Sequence, residues 1–395
     1  MVKTPIYFDH AATTPVDKRV LEKMLPYFTE VFGNANSQHM FGREAVKAVD
    51  EARDTIAKLI GAKPNELYFT SGGTEADNWA LRGVADARKD KGKHIIISPL
   101  EHAAMLSTAK DLEKQGFEIE YMKVDEFGFV DLGALKNSVR DDTILVACMM
   151  ANNEIGTIEP IKEIAQIAHA KGALMFTDAV QAAGVLDINV KDLGVDLMSM
   201  SSHKIYGPKG MGALYIRNGV KVSSIITGGH QERMKRGGTT VVPNIVGFAE
   251  AFKIAIAERE ENFRYVSMLR DRFIDAVTEQ IPFIKLNGPR ENRLPANADF
   301  SFYYIEGESI LFSLDLAGIA VSSGSACSSG SLEPSHVLLA IGVPEAIAHG
   351  SIRFSFGKHN TVEEIDYAVE TLKTAVENLR KMSPLFDAKG ELKYV

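Results

Sequence analysis

Ser199-Met-Ser-Ser-His-Lys-Ile-Tyr-Gly-Pro-Lys-Gly-Met-Gly212 is the stretch on which the reading of the chain turns. An apolar run, Val195-Asp-Leu-Met-Ser-Met200, enters it and reads as a buried strand. Gly212-Ala-Leu-Tyr-Ile-Arg217 leaves it as a second strand. Lys204 therefore sits in a turn at a strand end, with Ser201 and His203 beside it. A lysine so placed can reach into a cleft and form an imine with an aldehyde. Taken alone, it reads more simply as an ordinary turn lysine, as most lysines are.

Working outward, strands and helices alternate. Glu66–Thr70, His94–Ser98, Glu118–Val124, Thr143–Ala151 and Ala173–Asp178 read as strands; 43–59, 103–115, 131–139 and 161–171 read as helices. Continuous apolar strands alternating with helices predict an α/β fold with a mainly parallel sheet sandwiched by helices. Sites in such sheets lie at the carboxyl ends of strands. That rule selects Thr70–Thr74, Ser98–His102, Ala151–Glu154, Thr177–Gln181 and Ser201–Lys204. In Ser71-Gly-Gly-Thr-Glu-Ala-Asp77, two glycines precede a helix start expected to run to about Gly83, a ready anion site. Thr74 and Asp77 carry the spacing of a capping box. A long helical region from about Asn244 to Glu279 is expected to bridge to a smaller α+β domain, with strands near 299–304 and 351–356.

The 395 residues are too many for one ordinary core, so two domains are expected. The net charge of −8 and the absence of a basic run argue against direct nucleic-acid binding. No apolar run reaches membrane-spanning length and the N-terminus lacks signal-peptide architecture, so a cytoplasmic protein is expected. Cys148 and Cys327 are the two cysteines, which excludes a disulfide framework or a CxxC site and leaves no metal centre indicated. Cys148 lies in an apolar strand and reads as an inert core residue.

Pyridoxal phosphate chemistry needs a lysine, a carboxylate for the pyridinium nitrogen, phosphate donors and a ring against one face. Lys204, Asp178, the Gly73–Thr74 turn and His102 are of these types and converge on one sheet edge. Gln181, just beyond Asp178, can reach a ring hydroxyl. Asp178 could instead cap the following helix, and His102 could be a simple surface residue. In Ser351-Ile-Arg-Phe-Ser-Phe356, alternation puts Arg353 on the face opposite Ile352, Phe354 and Phe356. Its guanidinium fork suits a carboxylate, although a surface salt bridge would use it equally well. Cys327 sits in Ser322-Ser-Gly-Ser-Ala-Cys-Ser-Ser-Gly-Ser331, too small and polar to pack a core. It reads either as an incidental thiol or as a nucleophile that visits a cofactor and carries sulfur outward.

Asp9-His-Ala-Ala-Thr-Thr-Pro15, Glu101-His102, Asn152-Asn-Glu-Ile-Gly156, Thr177–Ala182, Ser202–Gly210 and Ser323-Gly-Ser-Ala-Cys-Ser328 with Leu332–Ser335 resemble the NifS/IscS cysteine desulfurases. These belong to the class V aminotransferase group of fold-type I pyridoxal phosphate enzymes. The resemblance implies conversion of L-cysteine to L-alanine, with sulfur passing to Cys327 as a persulfide. Acceptors would include an iron–sulfur scaffold, tRNA thiolation or nitrogenase maturation. It implies Lys204 as the Schiff-base lysine, Asp178 as the pyridinium partner, His102 as the stacked ring and Gln181 as the ring-hydroxyl contact. By the same resemblance Gly73, Thr74, Ser201 and His203 are expected to form the phosphate cup, Thr239 to reach that phosphate from the other subunit of a homodimer, and Asn153 and Arg353 to bind the substrate carboxylate.

On this basis residues 15–257 form the large cofactor-binding domain. Residues 1–14 and 258–395 form the small domain, with a cysteine loop at about 322–335. A tail from Ser383 resembles a segment that meets sulfur acceptors. Departures are His10, His230 after Gly228-Gly229, and Gly237-Gly-Thr239 in place of Ser-Gly-Thr. Alternatives on the same scaffold are a selenocysteine lyase or a class V aminotransferase. A non-catalytic sulfur-handling protein is disfavoured by the intact Lys204, Asp178 and His102 set.

Overall fold

The computed structural model describes residues 2–323 and 333–386. Cys327 lies outside the described residues, as does the tail beyond Phe386. Strands are numbered β1 (Ile6–Tyr7), β2 (Leu67–Thr70), β3 (His94–Ile97), β4 (Glu118–Tyr121), β5 (Thr143–Ala147), β6 (Leu174–Asp178), β7 (Leu197–Ser201), β8 (Gly212–Ile216), β9 (Ile284–Asn287), β10 (Asn297–Phe302), β11 (Ile319–Ala320) and β12 (Ser351–Ser355).

Among the described residues, the main sheet runs β2-β8-β7-β6-β5-β3-β4. Pairings from β7 through to β4 are parallel, as expected; β8 alone runs against both β7 and β2. β2 therefore points the same way as β7, and its carboxyl end at Thr70 shares an edge with Asp178 and Ser201. β5, β6, β7 and β8 are buried along their whole length, which is why they read as unbroken apolar runs.

The pleat sends alternate residues to two cores. Leu174, Phe176 and Leu197 join Trp79 and Leu81 of helix Gly73–Arg88. Met175 and Met198 join Val49 and Ile56 of helix Met40–Leu59 and Phe248 of helix Val242–Ala257. A separate aromatic cluster, with Phe8, Phe273, Phe300, Phe354 and Phe356, lies on the antiparallel sheet β12-β10-β9. There the Phe273 and Phe354 ring centres are 4.5 Å apart.

Three expectations are corrected. The region from Asn244 to Glu279 is two helices, Val242–Ala257 and Arg259–Gln280. Glu258, with φ −97° and ψ 3°, ends one and begins the other. Its carboxylate accepts from Arg19 at 2.6 Å and Lys358 at 3.1 Å. Thr74 and Asp77 form no capping box. The helix begins two residues earlier than that box requires, at Gly73, with Gly72 at its N-cap, and it continues to Arg88 rather than ending near Gly83. Gly72 has φ +157°, a conformation that favours glycine. The fifth strand stops at Ala147 instead of Ala151.

Candidate active site

A cavity of about 280 Å³ opens at the carboxyl edge of the main sheet. Gly73, Thr74, His102, Asn153, Asp178, Gln181, Ser201, His203, Lys204 and Arg353 all line it. The expected residues thus meet in one place, apart from two. Thr239 lies on an exposed segment beside a different cleft, with Ser71 and Arg236. Cys327 is outside the described residues.

The turn carrying Lys204 is a single 3₁₀ turn, Ser202–Lys204, directly after β7. The Lys204 ammonium donates to the Ala12 carbonyl at 2.8 Å and also to Ala11. Gln181 Nε2 donates to the same Ala11 carbonyl at 3.0 Å. The segment 9–15 closes over the turn: Thr14 bonds the His203 carbonyl through both its amide and its hydroxyl, and His203 Nδ1 meets Thr13 Oγ1 at 3.1 Å. Burial, with Lys204 and Lys209 adding, pushes the His203 imidazole down to about 4, so it is neutral near pH 7.

Asp178 ends β6 fully enclosed, and its Oδ1 accepts from the Val180 amide at 2.8 Å. Burial raises its pKa, while Val180, His102, Ser199 and Lys204 favour its charge. His102 caps helix Ala103–Glu113, its Nδ1 accepting from the Ala104 amide at 3.1 Å. That bond leaves the ring proton on Nε2 in the neutral form.

The anion end is built by close approach. A Cβ on Gly73 would stand 2.7 Å from Val180 Cγ2. The same Cβ would lie 3.8 Å from the Cβ of Ser201, so the start of helix Gly73–Arg88 sits beside Ser201, whose buried Oγ has no hydrogen-bond partner among the described residues. Arg236 locks this turn from behind with two bonds to Glu75 at 2.8 and 2.9 Å, and Glu75 accepts from the Ser71 amide.

Arg353 is no surface ion pair. It is 2% exposed, donates to Asp9 at 2.9 Å and to the Asn153 carbonyl at 3.2 Å, and its Nε has no partner among the described residues. A buried cation with a donor to spare at a cavity wall is fit for an anionic substrate group. The pairing of Asp9 with Arg353 was not foreseen, because the two are 344 residues apart in sequence. Asp77, expected to serve as a helix cap, instead lines the cavity. Its spacing of four from Gly73 puts both on one helix face, a signal that was available in the sequence.

The Aminotransferase class-V family model matches residues 6–368. The chain belongs to the class-V aminotransferase family. Members of this family are pyridoxal phosphate-dependent enzymes. The chain is 55% identical over 383 residues to the cysteine desulfurase IscS of Dictyoglomus turgidum, covering 97% of each. A solved NifS-like protein superposes with a TM-score of 0.90 at 40% identity, covering 95% of this chain and all of that one. SspA, solved in complex with cysteine, superposes at 0.80 with 34% identity, covering 90% of this chain and 100% of its own. The fold is thus that of the NifS-like members. The donor set fits the family's cofactor: a lysine, an enclosed carboxylate, a capping histidine and a bare-amide cradle with an orphaned serine hydroxyl. Among the described residues, no helix is long and apolar enough to cross a membrane.

Proposed function

We propose that this protein is a cysteine desulfurase that converts L-cysteine to L-alanine and passes the sulfur on from Cys327, serving iron–sulfur cluster assembly or another sulfur acceptor. The observation that carries the reading is the meeting of Lys204, Asp178, His102 and the Gly73 cradle in one cavity with the buried Arg353. The near-complete coverage by IscS relatives supports it.

Pyridoxal phosphate, when bound, supplies a carbonyl for the substrate amine and a ring that takes up the electrons of the α-carbon. Around it, Lys204 anchors the group and afterwards moves the α-proton, with His102 against the ring. Asp178 holds the charge of the ring nitrogen, and Gln181 meets the ring hydroxyl. Gly73, Thr74, Ser201 and His203 take the phosphate. Asn153 and Arg353 grip the substrate carboxylate. The Cys327 thiolate attacks the substrate sulfur, breaking the carbon–sulfur bond; a proton returns to the substrate carbon and alanine leaves. Ser322 and Ser335, on either side of the undescribed stretch, support this role. Ser322 pairs backbone to backbone with Arg353, and Ser335 donates to Glu154 beside Asn153.

A homodimer, with Thr239 completing the partner's phosphate cup, is supported by an exposed apolar face of Leu21, Leu25, Phe28, Phe32, Met40 and Phe41. The domain division at 15–257 is supported by the two separate cores. A cytoplasmic location follows from a chemistry that needs Cys327 as a free thiolate.

The test is release of sulfide and alanine from L-cysteine with a thiol reductant. Wild type should release the two in equal amounts. Cys327→Ala should keep the visible cofactor band and release neither. A Cys327→Ala variant as active as wild type would remove the loop-cysteine route and favour a lyase.

A further inference from the structure

The floor of the cavity holds more acid than the proposed chemistry uses. Asp178 and Ser199 are paired across β6 and β7, so their side chains leave the sheet on the same face. That face packs under helix Gly73–Arg88. From this helix Asp77, 1% exposed, lines the cavity one turn beyond Gly73. Ser199 is the polar neighbour of both carboxyls. Asp77 Oδ1 and Ser199 Oγ have no hydrogen-bond partner among the described residues. Glu101 is also enclosed; its Oε1 accepts from the Met149 amide and its Oε2 has no partner among the described residues. Facing this group are the Lys204 ammonium, from the turn after β7, and the His102 imidazole, at the N-cap of helix Ala103–Glu113, and both act on Asp178. Carboxylates buried side by side cannot all be ionised without partners. Burial pushes Asp77 and Glu101 well above the ordinary carboxylate range, and the charge of Asp178 adds to it. The Val180 amide, His102 and Lys204 all favour the charge on Asp178.

We propose that Asp77 is a positioning residue that works as a neutral acid, donating its retained proton within an Asp77–Ser199–Asp178 cluster and so holding Asp178 as the one anion at the ring-nitrogen end of the cavity. The proposal rests on the reading of Asp178 given above. A neutral Asp77 fixes the Asp178 carboxyl through the serine hydroxyl without competing for the ring's positive charge. An ionised Asp77 would draw a proton into the cluster and weaken that pairing.

Asp77→Asn preserves shape and neutrality, Asp77→Val removes hydrogen bonding, and Ser199→Ala removes the bridge. Two quantities are measured on the full-length chain. The first is the dissociation constant for pyridoxal phosphate, from titration of cofactor-free protein followed by visible absorbance. The second is the thermal midpoint of the cofactor-free protein at pH 5 and pH 8. Asp77→Asn is expected to bind the cofactor within about twofold of wild type, and Asp77→Val and Ser199→Ala at least about tenfold more weakly. A carboxyl held protonated in the fold makes wild type less stable as pH rises above the unfolded carboxylate range, because the unfolded chain releases that proton. The Asp77→Asn protein should therefore gain on wild type from pH 5 to pH 8, melting several degrees higher at pH 8. An Asn variant that binds as poorly as Val and gains nothing at pH 8 would show that Asp77 works ionised. Unchanged affinity in Ser199→Ala or in both Asp77 variants would overturn the positioning role. If Asp77→Val does not fold, the Asn and Ser199→Ala measurements still decide. If wild type itself binds no cofactor, the function reading fails, whereas the thermal comparison still decides the state of Asp77.

Discussion

Arg353 is held at the cavity wall by a carboxylate from the far end of the chain. Asp9 takes one guanidinium nitrogen and the Asn153 carbonyl another, which fixes the fork before substrate arrives. Asp9→Asn should therefore raise KM for L-cysteine several-fold while leaving kcat within about twofold, since it loosens a ground-state grip. Arg353→Lys should raise KM at least tenfold, because a point charge cannot replace the fork. Steady-state kinetics in L-cysteine checks both. That Lys204, Asp178, His102 and Gln181 meet at one cavity was legible in the sequence, because each ends or follows a strand whose apolar run marks its end. Asp9 as the partner of Arg353 was not legible, since no local pattern reports a contact made through the tertiary fold. Asp77 was misread: a capping-box spacing fits the letters, but the glycine pair starts the helix two residues earlier.

At the scale of elements, the phosphate cradle depends on how closely helix Gly73–Arg88 approaches the turn after β6. Gly73→Val would drive a side chain into Val180, already 2.7 Å from a bare Cβ. Cofactor affinity should fall at least tenfold in an absorbance titration. Behind the cradle, Arg236 and Glu75 form a pair whose side chains are 20% and 9% exposed. Arg236→Ala leaves Glu75 enclosed without its cation and should cost about 2 kcal/mol in denaturant unfolding. The parallel order from β3 to β7 was readable because helices alternate with strands buried on both faces. The reversal of β8 was not, since a strand's apolar run is the same in either direction. The helix break at Glu258 was also hidden. Glutamate is a good helix former, and what draws it out are Arg19 and Lys358 from distant parts of the chain.

For the whole molecule, the seam between segment 9–15, the Lys204 turn and the end of β12 carries two half-buried histidines, His10 and His203. His10, a departure from the family pattern, packs against Gly357, where a Cβ would come within 2.3 Å of its ring. Its ring centre lies 5.0 Å from that of Tyr7. Burial pushes His10 and His203 each down to about 4. The unfolded chain protonates these rings near pH 6.5, so their contribution is complete above that pH and is lost as pH falls toward 4. Each should contribute on the order of 2 kcal/mol, allowing for partial exposure. His10→Gln should flatten part of the decline in unfolding free energy between pH 6.5 and 4.

The central claim is that sulfur leaves L-cysteine by way of Cys327. The most direct measurement is the mass of the Cys327 peptide after one equivalent of L-cysteine reacts without reductant, with alanine counted in the same sample. One added sulfur atom is expected on Cys327 for each alanine formed, removed by a thiol with release of sulfide. Alanine formed in full beside an unmodified Cys327 would contradict the claim.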